Sequence, residues 1–127
     1  MEAGDSIHDI ITYIRPVVKV IGTGYVASAG THIFLAAEKA DRFCLPNTRF
    51  LIHQPSGGAG GSASDIAIQA EQIVKMRERL AQVISNRTGT DIDRVRLDIE
   101  RDKWIDTDEA IEYGLVSQVV QNSSQIV

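Results

Sequence analysis

The longest stretch of periodic hydrophobicity runs over residues 63–87, where Ile66, Ala70, Ile73, Leu80 and Ile84 recur at helical spacing and Thr88-Gly89 supplies a stop. Its other side carries Glu71, Lys75, Arg77, Glu78 and Arg79, so the pattern predicts one long surface helix. A shorter amphipathic helix is predicted over residues 5–14, halted by Pro16, with His8 on it as a surface residue. Thr90 and Asp93 match a capping box for a helix ending at Glu100, and Asp106 with Glu109 opens a short helix that Gly114 closes. Apolar, β-branched runs at 17–21, 49–53 and 116–120 read as strands. Strands alternating with helices predict an α/β layer architecture with a mainly parallel sheet. No internal repeat or boundary divides residues 1–127, which read as one domain, and the polar tail 121–127 is expected to fray.

Ser28 lies in Gly24-Tyr25-Val26-Ala27-Ser28-Ala29-Gly30, between a strand-like run and an apolar helical pattern. A hydroxyl on a strand-to-helix turn with small neighbours is open to a carbonyl, and the helix start aims N–H groups at any oxyanion formed there. The spacing G-x-x-x-S-x-G is not the hydrolase elbow G-x-S-x-G, and small-Ser-small turns are common. A serine nucleophile needs a base and a group that orients the base. Of three histidines, His53 ends the strand-like run 49–53 ahead of Gln54-Pro55, where α/β enzymes place chemistry. His32 shares the helix face of Ser28 one turn on and reads as a packed residue. Asp98, Glu100 and Asp102 are candidate orienting carboxylates, and spacing does not choose among them; mixed-charge runs of this kind are commonly solvated.

The segment Ser56-Gly57-Gly58-Ala59-Gly60-Gly61-Ser62 reads by composition as a flexible loop, and no Lys-Ser/Thr follows it as a phosphate loop requires. With 127 residues, 43% of them hydrophobic, the chain can build one core but not two. A net charge of −4 and the absence of a basic stripe argue against nucleic acid as a partner. The single cysteine, Cys44, rules out an internal disulfide, fits a reducing compartment and reads as a buried structural thiol. No cluster has metal-ligand spacing and no nucleotide motif is present, so no cofactor is expected. No apolar run approaches a membrane span and no signal peptide is visible, which makes the cytoplasm the default location.

Ala27-Ser28-Ala29-Gly30, Cys44-Leu45-Pro46-Asn47, Ile52-His53-Gln54-Pro55 with Gly57-Gly58, Glu100-Arg101-Asp102 and Tyr113-Gly114-Leu115-Val116 occur in an order that resembles the proteolytic subunit of the ATP-dependent Clp protease. The resemblance covers nearly the whole chain. It implies a crotonase-like fold of repeated strand-strand-helix units, with the long helix protruding as a handle between stacked rings. By position it implies Ser28 as nucleophile, His53 as general base and then acid, and Asp102 as the orienting carboxylate. It further implies the backbone N–H of Ala29 as an oxyanion donor, Ser56, Gly57 and Gly58 as a strand to which substrate adds by main-chain bonds, and Arg101 as a ring-to-ring contact. The implied activity is serine endopeptidase cleavage of unfolded polypeptides inside a chamber of two stacked heptameric rings, a tetradecamer fed by a hexameric Clp ATPase.

The chain departs from that pattern at Ala29, where the family usually has methionine, and at His32, where it usually has a large apolar residue. The family's second oxyanion donor comes from a glycine-rich turn ahead of the first helix, so the chain is expected to lack an N-terminal portion, and an organelle-targeting segment would lie there too. The rival classes are a non-catalytic ring subunit and a crotonase-like enzyme acting on an acyl-CoA thioester. A signal-peptide peptidase of the same superfamily would use a lysine base in place of His53.

Overall fold

The computed structural model describes residues 2–55 and 59–126. Helix α1 (Glu2–Tyr13) leads to strands β1 (Val20–Gly22) and β2 (Tyr25–Ala27), then helix α2 (Ala29–Phe34) and strands β3 (Arg42–Cys44) and β4 (Arg49–Ile52). Helices α3 (Ala63–Thr88) and α4 (Ile92–Glu100), strand β5 (Lys103–Ile105), helix α5 (Thr107–Tyr113) and strand β6 (Gln118–Val119) complete the order. Among the described residues the strands form two three-stranded sheets, β1-β3-β6 and β2-β4-β5. All pairings are parallel except β4 with β5. The predicted α/β architecture with mainly parallel pairing is therefore present, divided into two small sheets.

The expected strand at 17–21 forms only over Val20–Gly22, and that at 116–120 only over Gln118–Val119. Strands β2, β3 and β5, three residues each, were not apparent in the pattern because so short a run shows no alternation. Asp91, not Thr90, caps α4, its carboxylate accepting from the N–H groups of Asp93 and Arg94; Thr90 instead donates to the carbonyl of Tyr113. Asp106 caps α5 and Gly114 closes it with φ 92°, as the sequence predicts. There the glycine is required, because a Cβ would lie 2.1 Å from the carbonyl oxygen of Thr88. In the tail, Asn122 caps a short 3-10 turn, and the Gln125 side chain accepts from the N–H of Gln121.

Phe34, Leu35, Phe50, Ile52, Ile84, Val95, Ile99, Ile105 and Leu115 form the core between the sheets and the helices. Cys44 is buried among them, as expected, and burial pushes its thiol up to about 11. Arg42 is fully buried and donates to the carbonyls of Ala37, Arg87, Gly114 and Leu115, drawing the C-terminal ends of α2, α3 and α5 together. Burial first, and Arg87 second, lowers its pKa to about 10, which leaves it cationic at neutral pH. Helix α3 is capped by a Ser62–Asp65 box. Its first turns stand clear of the domain, with Ile66 and Ile68 exposed, and only Ala81, Ile84 and Thr88 near its end are buried.

Helix α1 buries its small and histidine side chains rather than its isoleucines. Gly4 and His8 are buried, while Ile7, Ile10, Tyr13 and Ile14 are exposed. The small side of α1 lies against α2, and a Cβ at Gly4 would come within 3.0 Å of the Ala29 methyl. His8 is thus not a surface residue: its ring stacks on His32 at 4.3 Å.

Candidate active site

Strand order and register bring the site together. β2 and β4 run parallel with Ala27 opposite Leu51, so Ser28 and His53, each following its strand, emerge at the same end of the sheet. β5 runs antiparallel to β4 with Lys103 opposite Ile52, so Asp102, immediately before β5, faces His53. The N–H of Gln54 donates to the carbonyl of Ile99 at 2.7 Å, fastening the end of β4 to the last turn of α4. None of these placements follows from distance along the chain.

Ser28 occupies the N-cap position of α2 with φ 53° and ψ −125°, a conformation unfavourable for a residue with a Cβ. Serine is a favoured cap, yet its hydroxyl makes no capping bond here. Oγ stands 2.7 Å from Nε2 of His53. With Ser28 donating, Nε2 is the bare nitrogen and Nδ1–H faces Asp102, the arrangement a base needs to withdraw the hydroxyl proton. Thr31, one turn along α2, donates its hydroxyl toward the carbonyls of Val26 and Leu51 and so ties the turn to both strands.

Of the three carboxylates, Asp98 accepts from the Tyr113 hydroxyl at 2.9 Å and lies beside Arg94, and Glu100 is exposed at the end of α4. Asp102 Oδ1 lies 4.0 Å from Nδ1 of His53, beyond hydrogen-bond length, and its side chain is 70% exposed. Asp102 also has a positive φ of 53°. Ala29 is the first residue of α2, where its N–H is one of the helix-start donors. Arg101 is exposed and its N–H caps the end of α4 on the carbonyl of Asp98. Ser56, Gly57 and Gly58 lie outside the described residues.

A cavity of about 260 Å³ opens beside the Ser28–His53 pair. Its far wall is Ile73, Met76, Leu80 and Ile84 of α3, and Leu51 and Pro55 flank it. Ile73, Leu80 and Ile84 belong to the stripe visible in the sequence, but that they wall a cleft, with Ile84 also in the core, was not. His32 is packed, as expected, with Nε2 3.0 Å from Asp5. Among the described residues no helix is long and apolar enough to cross a membrane.

Comparison with known proteins bears on the whole arrangement. The family model described as Clp protease matches residues 1–123. The "ATP-dependent Clp protease proteolytic subunit 3" of Rhizobium meliloti is 55% identical over 126 residues, covering 99% of this chain and 65% of the relative. The "ATP-dependent Clp protease proteolytic subunit" of Paracoccus denitrificans is 51% identical over 126 residues, 99% of this chain and 63% of the relative. The chain thus spans a little under two thirds of the length of these curated relatives. The solved structure of ClpP1 from Listeria monocytogenes superimposes with a TM-score of 0.86 at 46% identity, covering 99% of this chain and 69% of that one. A mutant of the same protein gives a TM-score of 0.89 at 49% identity, covering 97% and 68%. The fold and the sequence that builds it are similar to those of ClpP over nearly the whole chain, and the chain belongs to the Clp protease family.

Proposed function

We propose that residues 1–127 form one serine endopeptidase domain, a proteolytic subunit cleaving peptide bonds of unfolded proteins by a Ser28, His53 and Asp102 triad. The observation that carries this reading is the 2.7 Å contact between Ser28 Oγ and His53 Nε2 at the mouth of an apolar cavity. His53 takes the Ser28 proton as Oγ attacks the carbonyl, then gives it to the leaving amine. Water, activated by the same imidazole, releases the acyl group. Ala29 N–H donates to the oxyanion, and Asp102 holds the imidazolium. The cavity suits an apolar side chain flanking the scissile bond. Ser56, Gly57 and Gly58 supply main-chain partners for the extended substrate.

In this reading the subunit works in the cytoplasm within stacked heptameric rings fed by a hexameric Clp ATPase, with α3 and Arg101 at ring contacts. The outward Ile7, Ile10, Tyr13 and Ile14 support assembly, since so many neighbouring apolar side chains are seldom left to water. A second reading, a non-catalytic ring subunit, draws on the 4.0 Å gap between His53 and the exposed Asp102. Covalent labelling by a fluorophosphonate probe tests the choice. The endopeptidase reading expects labelling that Ser28→Ala and His53→Ala both abolish; a chain that stays unlabelled, alone and when extended to the full length of its relatives, is the non-catalytic subunit.

A further inference from the structure

We propose that His32 is a positioning residue: clasped to α1 by Asp5 and His8, it holds the strained Ser28 turn in the conformation that presents Oγ to His53. The proposal rests on the reading of Ser28 as nucleophile. His32 is 6% exposed, and three of its polar groups are committed. Its N–H donates to the carbonyl of Ser28 at 3.3 Å, closing the first turn of α2 on the nucleophile itself. Its carbonyl accepts from Nδ1–H of His8 at 2.7 Å. Its Nε2–H donates to Asp5 Oδ1 at 3.0 Å, and the other Asp5 oxygen pairs with Arg79 of α3 at 3.0 Å.

The fourth group defines the state in which the clasp works. Nδ1 of His32 is buried with no hydrogen-bond partner. With Nε2–H on Asp5, Nδ1 is a bare lone pair, which is tolerable. A second proton there would bury an unpaired N–H and a charge against the His8 ring, stacked at 4.3 Å and 11°. The charged and titratable groups around His32 are Asp5, His8 and Asp9 from α1 and Arg79 from α3. An apolar side chain would fill this space without burying any polar atom, so the polar set adds geometry rather than burial. The geometry it fixes is the turn after β2: a φ of 53° at a serine persists only where neighbours over-determine it.

Two readouts on the whole chain test this: the rate of fluorophosphonate labelling at Ser28, and hydrogen exchange of segment 26–35 by mass spectrometry. His32→Phe is expected to slow labelling by about tenfold or more, the scale of a small misplacement of a reacting atom, and to speed exchange in 26–35 selectively. His32→Gln, whose amide can donate to Asp5, is expected to restore most of both. Should His32→Phe not fold, His8→Phe, which removes only the donor to the His32 carbonyl, is expected to act in the same direction. Unchanged labelling and exchange, or exchange raised evenly along the chain, overturns the proposal. A parent that does not label, alone or extended to the full length of its relatives, while His32→Phe still opens 26–35 keeps the clasp and rejects the nucleophile.

Discussion

Arg42 and His32 are both buried, polar and placed among helix ends, yet their surroundings differ. Arg42 donates to four carbonyls from three helix ends. His32 has partners for all its polar groups except Nδ1. The first cluster closes the carboxyl ends of helices; the second bonds the carbonyl of Ser28 through the His32 N–H. A network with a partner for every polar atom fixes one arrangement, whereas one with a vacant proton site depends on the charge state of its members. The contrast separates what holds the fold from what holds the site.

The sharpest way to break that contrast is at Arg42. An orphaned buried carbonyl costs about 1–3 kcal/mol, and Arg42→Ala would orphan several while leaving a cavity. The expected loss is about 4 kcal/mol or more, a large share of the roughly 5–15 kcal/mol that holds a domain folded. Urea unfolding measures it. A loss under about 1.5 kcal/mol would mean that water enters and replaces the guanidinium, and that the four carbonyls do not depend on it.

How much of this was legible in the sequence depends on range. Local chemistry was: the Asp106 cap, the Gly114 stop, the strand end at His53 and the turn at Ser28 each follow from a few adjacent residues. Register was not. Asp102 could not be told from Asp98 or Glu100 by spacing, because which of them lies nearest His53 is set by β5 pairing antiparallel to β4. Likewise β2, β3 and β5 are too short to show alternation, and their pairing depends on partners far along the chain. His8 was misread as a surface residue for a related reason: Ile7 and Ile10 mark the side away from this domain, while Gly4 and His8 form the side that touches α2.

The next effect is a pH dependence on the His32 side alone. Burial chiefly, then His8 and Arg79, against the opposing pull of Asp5 and Asp9, holds the His32 pKa below its ordinary value. In the unfolded chain histidine takes up its proton near about pH 6.5. Between that point and the lower folded value the unfolded state binds more protons, so stability falls as pH falls through this window and is unaffected above it. Thermal midpoints at about pH 7.5 and about pH 5.5 should therefore drop more in the parent than in His32→Phe. Equal drops would assign the acid sensitivity to other groups and leave His32 as passive packing.

The smallest expected effect concerns what the clasp restrains. Ser28→Ala and Ser28→Gly both remove the hydroxyl and its contact with His53, so their difference isolates the backbone. A positive φ costs a residue with a Cβ about 1–3 kcal/mol, and glycine gives back about 0.5–1 kcal/mol through the freedom of its unfolded chain. Ser28→Gly is therefore expected to be more stable than Ser28→Ala by about 1 kcal/mol, read from denaturant midpoints at equal slope. Equal midpoints would mean the turn relaxes once the hydroxyl is gone, and that the Ser28–His53 contact, not His32, keeps it strained. A gain for glycine places the strain in the backbone itself, where a clasp on the Ser28 carbonyl can act.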